Sequence, residues 1–284
     1  MLFNIFLTYK RIVLKSFKLL YFTVAVILFN SVRVTAQTTD SVKTDSVKTD
    51  SVEHILEVPD TVKHLESKLV SFIPPAVFVG YGLLSLGVKP IRDIDFHVYN
   101  DMRKDHPNFS TKIDNYFQFA PVVTVYALNL AGVAGKNRFI DRTILYALSQ
   151  TIRFGAVNAI KGASNRLRPN GLDDKSFPSG HASTAFAAAE FMAQEYGEVS
   201  PWYGVYAYSF ATATAILRVY NNDHWFSDII AGAGFGILST KAAYLLYPII
   251  RNNLFRNDKK DEKAAILLPS YNNGVVGFSF VKRL

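Results

Sequence analysis

The chain has 284 residues, of which 49% are hydrophobic and 14% aromatic, a high apolar content for a soluble protein. Its formal net charge of +8 favours anionic partners, such as phospholipid surfaces, nucleic acid or phosphorylated substrates, without choosing among them. Because the chain has no cysteine, it can form neither a disulfide framework nor a thiolate metal site.

The N-terminal residues 1–36 predict a secretory signal peptide. Basic residues precede an apolar run at 19–29, and residues 34–36 (Val-Thr-Ala) resemble a small-residue cleavage site. The run is short for a full membrane span, and an uncleaved anchor helix is the alternative. Residues 39–53 then repeat Thr-Asp-Ser-Val with mixed charge, which predicts a solvated linker at 37–68 because such a segment buries little apolar surface.

Long apolar stretches separated by short polar joints dominate the region 69–250. They lie at 69–87, 117–135, 140–160, 181–197, 201–217 and 229–250. Several approach the ~20 residues that an α-helix needs to cross a bilayer, and small residues, as at 231–236, let helices pack closely in lipid. The pattern predicts an all-α, multi-helix membrane bundle. A large soluble helical bundle is the alternative, because charged residues interrupt the apolar runs.

Local features of these runs predict further detail. Pro74-Pro75 interrupts the first run, which predicts a kinked helix or one that lies in the membrane interface. The mixed-charge segment 89–115 predicts an amphipathic interfacial helix. Arg153 and Glu190 fall inside apolar helices, where ionisable groups pair or face a cavity, so we expect them to pair with each other.

The C-terminal residues 251–284 predict a charged segment followed by a small β-hairpin. The Asn273-Gly274 pair between two apolar stretches is typical of a two-residue hairpin turn. The expected domains are therefore a signal peptide or anchor, a polar repeat linker, a membrane domain at 69–250 and this C-terminal segment.

Three short blocks at the edges of apolar runs carry the residues best suited to chemistry. The first holds Lys161, Arg168 and Pro169, the second Pro178, Ser179, Gly180 and His181, and the third Arg218, His224 and Asp228. Lys161, Arg168 and Arg218 can hold the non-bridging oxygens of a phosphate. Ser179 and the backbone N–H groups around Gly180 open a helix, where unpaired donors and the helix dipole bind anions. The blocks therefore predict a phosphate site.

Two histidines would complete the requirements for breaking a phosphate ester. His224 and Asp228 are four residues apart, so on a helix they share one face and the carboxylate can hold the ring's tautomer. Such a ring can form a phospho-histidine intermediate, which leaves His181 as the general acid for the departing oxygen. The sequence has no carboxylate cluster suited to Mg²⁺, and the cations supply the charge, so we expect catalysis without a metal or cofactor.

The three blocks resemble the signature of the type 2 phosphatidic acid phosphatase (PAP2) superfamily, which also includes vanadium haloperoxidases and bacterial acid phosphatases. That signature is Lys, six residues, Arg-Pro; then Pro-Ser-Gly-His; then Ser-Arg, five residues, His, three residues, Asp. The chain matches the blocks in order and departs at Leu217, where the pattern often has Ser. Three ordered blocks with correct internal spacing are a specific match, and the resemblance covers about 69–250.

The resemblance implies a core of about six membrane helices and a role for each site residue. It implies His224 as nucleophile, His181 as acid, Asp228 as the residue that orients His224, and Lys161, Arg168, Ser179, Gly180 and Arg218 as the phosphate cradle. Segment 114–121 also looks like that of envelope members from Bacteroidetes-type bacteria, among them lipid A phosphatases.

The expected function is hydrolysis of a phosphomonoester or diphosphate of an envelope lipid. Candidate substrates are lipid A, undecaprenyl diphosphate, phosphatidylglycerol phosphate and phosphatidic acid, and no nucleic acid partner is expected. The alternatives are a vanadate-dependent haloperoxidase-like enzyme and a non-catalytic lipid-phosphate binding protein. Taken singly, the histidines and cations are also typical of helix caps and of basic flanks that face lipid phosphates.

We expect the protein in the bacterial inner membrane with its site facing the periplasm. The positive segments at 136–142 and 251–263 favour cytoplasmic joints at those positions. A cleaved signal peptide followed by six full crossings would place the site in the cytoplasm, so this expectation requires a first run that does not cross.

Overall fold

A computed structural model describes residues 69–254, 265–272 and 275–282. The predicted signal peptide or anchor at 1–36, the predicted linker at 37–68 and most of the charged segment after 250 lie outside the described residues. The proposed domain boundaries therefore remain predictions.

The described chain is helical up to its C-terminal hairpin. A short 3₁₀-helix, Leu69–Phe72, precedes the α-helices α1 (Ile73–Gly87), α2 (Lys89–Asp105), α3 (Asp114–Phe117), α4 (Ala120–Leu130), α5 (Phe139–Ser164), α6 (Gly180–Tyr196), α7 (Pro201–Tyr220) and α8 (Phe226–Leu254). Strands β1 (Ala265–Asn272) and β2 (Val275–Lys282) pair antiparallel, with Asn272 opposite Val275. The expected helical bundle and the C-terminal hairpin are both confirmed.

Helix ends follow local sequence rules at several points. Proline stands in the first turn of α1, α2, α4 and α7, where its missing N–H costs no hydrogen bond. Pro74 and Pro75 fall in the first turn of α1, directly after the 3₁₀-helix, and α1 continues to Gly87, so a kinked or interfacial first run stays a prediction. α5 ends at Asn165, whose left-handed φ of 43° turns the chain out of the helix.

Contacts at both ends of the bundle show how the helices alternate in direction. Arg166 Nη1 contacts Ser85 near the end of α1 and Ser227 at the start of α8. At the opposite end, Lys241 Nζ on α8 lies 3.2 Å from Ser71 Oγ, just before α1. α1 and α8 are therefore antiparallel. We call the end that carries Ser85 and Ser227 the site end, and the opposite end the far end.

Six helices, α1 and α4 to α8, form the core of this arrangement. α8 packs against α6, α1 and α5, while α6 also packs against α7 and α4. α2 joins them at the site end, where its Asp95 accepts a hydrogen bond from Ser227 N at 2.7 Å. The predicted amphipathic helix at 89–115 is shorter than expected, because α2 ends at Asp105 and α3 begins at Asp114.

Small residues bring α8 into close contact with the start of α6. A Cβ atom at Gly232 would lie 2.7 Å from Ser179 O and 3.1 Å from Ala182 Cβ, closer than side chains pack. Glycine at this position therefore lets the first turn of α6 lie directly against α8. This contact confirms the expected role of the small residues at 231–236, and it positions the second block of the predicted site.

Two helices of the described chain are long and apolar enough to cross a membrane, Val70–Gly87 and Phe226–Asn252. Only 17% of the segment Val70–Gly87 is buried within the protein, so α1 presents most of its apolar surface outward. α4 has 11 residues and is shorter than the ~20 residues of a full crossing. Crossing by all six runs stays a prediction.

The predicted pair of Arg153 and Glu190 is wrong. Glu190 instead binds Lys241 of α8, with Nζ 2.9 Å from Oε1, and also accepts a hydrogen bond from Tyr208. Arg153 donates to Gln150 Oε1 at 2.7 Å, one turn away on its own helix. The carboxylate already has a cation on the helix that α6 packs against most closely, so no charge remains for Arg153 to neutralise.

Candidate active site

The structure brings the three predicted blocks together at the site end of the bundle. Lys161 lies in the last turn of α5, Arg168 in the following loop, Ser179 and Gly180 at the start of α6, His181 in its first turn, Arg218 in the last turn of α7, His224 in the next loop, and Asp228 in the first turn of α8. Backbone hydrogen bonds join the loops, because Ser179 N donates to Asp228 O at 3.0 Å and Asn170 N to Asn222 O at 3.1 Å. These main-chain hydrogen bonds hold the segments that carry the blocks next to one another.

His224 has the tautomer that a nucleophile requires. Its Nε2 lies 3.4 Å from Arg168 Nη1, and because a guanidinium can only donate, Nε2 is the acceptor. The ring proton is therefore on Nδ1, 3.6 Å from Asp228 Oδ2, slightly longer than a hydrogen bond. Burial lowers the pKa of His224 to about 4, although the nearby carboxylate of Asp228 raises it. At neutral pH the ring is therefore neutral and Nε2 carries no proton.

The carboxylate of Asp228 is fully buried and held from several directions. Its Oδ1 accepts from Arg166 Nη1 at 2.8 Å, and its Oδ2 accepts from Trp225 N at 2.9 Å and Ser176 Oγ at 2.5 Å. The prediction that His224 and Asp228 share a helix face needs correction, because His224 precedes the first residue of α8. The two side chains meet across the turn that opens the helix.

His181 is oriented by a residue that the sequence analysis quoted only as part of a resemblance. Its Nε2 lies 2.8 Å from Asn115 Oδ1 on α3. An amide oxygen can only accept, so Nε2 carries a proton. The adjacent Asp114 holds Arg218, with Oδ2 2.8 Å from Nη1. The short helix α3 therefore positions both the predicted acid and one of the predicted cations.

Arg168 pairs with Asp173 at 2.7 Å and Arg218 pairs with Asp114, yet one buried donor of this group is left without a partner. Arg218 Nη1 also contacts Asp223 at 2.9 Å, but its buried Nε–H has no hydrogen-bond partner. Burial and the positive charge of Arg168 lower the pKa of Lys161 to about 8. An unpaired buried donor and crowded positive charges both favour an anion between these side chains.

The start of α6 offers the remaining part of an anion site. Ser179 caps the helix, since its Oγ accepts from Ala182 N at 3.4 Å. No heavy atom lies within 4 Å of the position that a Cβ on Gly180 would occupy, so the space beside this backbone is open. Unpaired N–H groups and the dipole of this 17-residue helix favour a phosphate there.

Sequence reasoning missed Arg166, which contacts Asp228 directly and also binds Asp95 of α2. The block pattern leaves the positions between Lys161 and Arg168 unspecified, and Asp95 stands 71 residues earlier in the chain. Only the unusual density of basic residues in this segment could have drawn attention to Arg166.

The lowered pKa of Lys161 gives a testable pH dependence. As pH rises through about 8, Lys161 loses its proton and the site loses one of three charges that hold phosphate. We therefore expect kcat/KM for hydrolysis of a phosphate ester to fall in this range. Lys161→Arg keeps its charge at every accessible pH, so its profile should stay flat above pH ~8.

The matched control is Lys104→Arg on the exposed side of α2, which should leave the alkaline fall unchanged. Ionisation of the substrate is the same for all three proteins and cancels in the comparison. An alkaline fall that persists in Lys161→Arg at the same pH would contradict the assignment.

Known proteins match the part of the chain that carries the predicted site. Residues 142–251 match the model of the PAP2 superfamily, and this range includes every predicted site residue. A lipid A 1-phosphatase of Porphyromonas gingivalis is 40% identical over 144 residues, which is 50% of this chain and 32% of that protein. The chain thus spans about a third of the length of this curated relative.

Two solved structures are distantly similar to the chain. The transmembrane PAP2-type phosphatidylglycerolphosphate phosphatase of Bacillus subtilis is 18% identical, with 61% of this chain and 92% of that chain covered and a TM-score of 0.44. LpxE of Aquifex aeolicus is 19% identical, with coverages of 51% and 92% and a TM-score of 0.39. Residues 142–251, less than half of the chain, are thus similar to the PAP2 superfamily.

Proposed function

We propose that this protein is a membrane lipid phosphatase that works through a phospho-histidine intermediate on His224. The observation that carries the proposal is the state of His224, whose Nε2 is unprotonated and faces Arg168 while its Nδ1–H faces Asp228. A protein that only bound phosphate would need the cations but not a nucleophilic ring. The arrangement therefore favours an enzyme over the binding-protein alternative.

In the first step, the cradle of Lys161, Arg168 and Arg218 holds the non-bridging oxygens of the substrate. The lone pair of His224 Nε2 forms a bond to phosphorus, and the bond between phosphorus and the ester oxygen breaks. The departing oxygen takes the electron pair of that bond and a proton from His181. Burial and the charge of Arg218 lower the pKa of His181 to about 4 in the free site, and the charge of a bound phosphate dianion raises it toward the protonated ring that this step needs.

In the second step, water attacks the phosphorus of phospho-His224. Neutral His181 takes a proton from the water, the bond between phosphorus and Nε2 breaks, and its electron pair returns to the ring. The products are an alcohol, or a lower phosphate, from the first step and inorganic phosphate from the second. Asp228 stabilises the positive charge that the ring carries while it is phosphorylated.

The choice of a lipid as substrate rests on the outer surface of the bundle and on one relative. α1 presents an apolar surface next to the site, with Leu83 and Leu84 about half exposed one helical turn or less from Ser85. Substrates that diffuse in a membrane reach such a site laterally. The Porphyromonas gingivalis relative is a lipid A 1-phosphatase, so lipid A ranks first among the candidates, ahead of undecaprenyl diphosphate, phosphatidylglycerol phosphate and phosphatidic acid.

The direct test is release of inorganic phosphate by the full-length protein in detergent from these four lipids, with EDTA present. We expect release from at least one lipid, strongest with lipid A, and no effect of the chelator. His224→Ala should lower the rate by roughly 10⁴-fold or more, since the nucleophile is removed.

Asp101→Asn on exposed α2 is the control and should behave as wild type. Equal release by His224→Ala would contradict the mechanism. Halide oxidation that requires vanadate, with no phosphate release from any lipid, would favour the haloperoxidase alternative instead.

We also propose that the site faces the periplasm across the bacterial inner membrane. The basic residues of the joint before α5, such as Lys136, and Arg251 near the end of α8 lie toward the far end, which favours a cytoplasmic far end. With α1 running from the far end to the site end, the residues before α1 must then be cytoplasmic. This orientation is incompatible with a cleaved signal peptide if α1 crosses the membrane.

Single cysteines test the orientation cleanly, because the chain has none of its own. Asp101→Cys marks the site end and Glu198→Cys, whose side chain is 74% exposed, marks the far end. In spheroplasts a membrane-impermeant maleimide should label only the Asp101→Cys protein, and both should react after lysis. Labelling of the Glu198→Cys protein alone would reverse the orientation.

A further inference from the structure

Arg166 links two buried carboxylates next to the proposed nucleophile. Its Nη2 lies 2.5 Å from Asp95 Oδ2 on α2, and its Nη1 lies 2.8 Å from Asp228 Oδ1 on α8. The side chain of Arg166 is 12% exposed, and both carboxylates are 0% exposed. A guanidinium can satisfy two carboxylates in this way because its donors point in fixed, separate directions.

Further hydrogen bonds fix the position of this group. Ser227 donates to Asp95 through both its backbone N–H and its hydroxyl, each at 2.7 Å. The hydroxyl of Ser227 in turn accepts from Arg166 Nη1 at 2.8 Å, and Ser85 Oγ on α1 lies 3.2 Å from the same nitrogen. The guanidinium also lies 5.6 Å from the centre of the Trp225 ring. α1, α2, α8 and the loop after α5 are thus joined at one point.

The charges in this group do not cancel. Asp95 and Asp228 carry two negative charges and Arg166 one positive charge, so the buried group has a net charge of −1. If Asp95 were absent, Arg166 would neutralise Asp228 completely. With Asp95 present, Asp228 keeps an effective negative charge toward Nδ1 of His224.

The cations around His224 show why the net negative charge on its Nδ1 side is needed. Arg168 lies 3.4 Å from its Nε2, and the charge of Arg218 also disfavours a positive ring. Lys161 lies on the same side of the site, while Asp223 is engaged with Arg218. A phosphorylated His224 is positively charged next to these cations, so it depends on a negative neighbour on its Nδ1 side.

We propose that Asp95 and Arg166 are positioning residues for the phosphatase reaction. Arg166 holds the carboxylate of Asp228 in place, and Asp95 offsets the charge of Arg166 so that Asp228 can stabilise the ring of His224 as it becomes positive. This inference rests on the proposed function. It adds a helix of the site end, α2, to the catalytic unit.

The fall of kcat/KM at low pH, here called the acid limb, reports protonation of His224. The two single variants should move this acid limb to opposite sides of its position in the wild type. Asp95→Asn leaves the charge of Arg166 uncompensated, so kcat should fall roughly tenfold, KM should change less than about twofold, and the acid limb of kcat/KM should move to lower pH. Arg166→Gln removes a positive charge, so the acid limb should rise by about one pH unit toward neutrality.

The double variant, Asp95→Asn with Arg166→Gln, distinguishes an effect of the net charge from an effect of the lost side-chain contacts. It restores the net charge of −1 with Asp228 alone, so its acid limb should return toward that of the wild type. Asp101→Asn and Arg103→Gln, exposed on the same helix, are matched controls that should match the wild type. A purely structural role predicts instead that the double variant is at least as impaired as the worse single variant and that both acid limbs move the same way.

The experiment uses full-length protein in detergent with phosphatidic acid and lipid A as probes, together with an NMR titration of isotope-labelled histidine. NMR reports the pKa of His224 in the folded protein without turnover, and His224→Ala assigns its signal. An upward pKa change in Arg166→Gln that the double variant reverses supports the inference even if neither lipid is hydrolysed, in which case the proposed function alone fails. An unchanged pKa in Arg166→Gln, or wild-type kcat in Asp95→Asn, would overturn it.

Discussion

Asp228 is the residue on which the rest of the site depends, because it contacts all three sequence blocks or the loops that carry them. Its backbone carbonyl accepts the N–H of Ser179, which fixes the start of α6. Its side chain accepts from Ser176 and Arg166 in the loop after α5 and faces His224 in the loop before α8. Burying a carboxylate without these donors would cost free energy, and without the carboxylate the donors would lack their shared acceptor.

The bundle separates two uses of buried charge. Toward the far end, Arg142 and Glu195 pair at 2.9 Å with almost no exposure, and Tyr244 also donates to Glu195. Each of the three nitrogens of the Arg142 guanidinium has an acceptor, which suits a structural role. At the site end the balance is incomplete, because Arg218 Nε is buried without a hydrogen-bond partner and the space beside Gly180 is open. The imbalance is what lets an anionic substrate add favourable interactions on binding.

Much of the site could be predicted because its residues are organised by short spacings. Ser179, Gly180 and His181 follow one another at a helix start, so their placement depends on local structure alone. The tautomer of His224 was also foreseen, although through a helical spacing that the structure replaces with a turn. Family resemblance and residue chemistry led to the same set of eight residues, and the structure places all eight at one end of the bundle.

What the sequence could not reveal depends on how helices pack against one another. Lys241 faces Glu190 because α8 lies against α6 in one particular register, which no local pattern specifies. The same reason hid Asp95, which reaches Arg166 only because α2 crosses the site end. The two prolines of α1 show that a local rule also depends on where the helix begins, which the sequence did not specify.

The most direct test of the account is to identify the atom that carries phosphate during turnover. The protein would be mixed rapidly with phosphatidic acid or lipid A labelled with ³²P, quenched in alkali, where a bond between nitrogen and phosphorus survives, and digested for mass spectrometry. The account predicts label on the peptide that contains His224, and none in His224→Ala. Phosphate release at full rate with no labelled peptide, or label on a different residue, would contradict it.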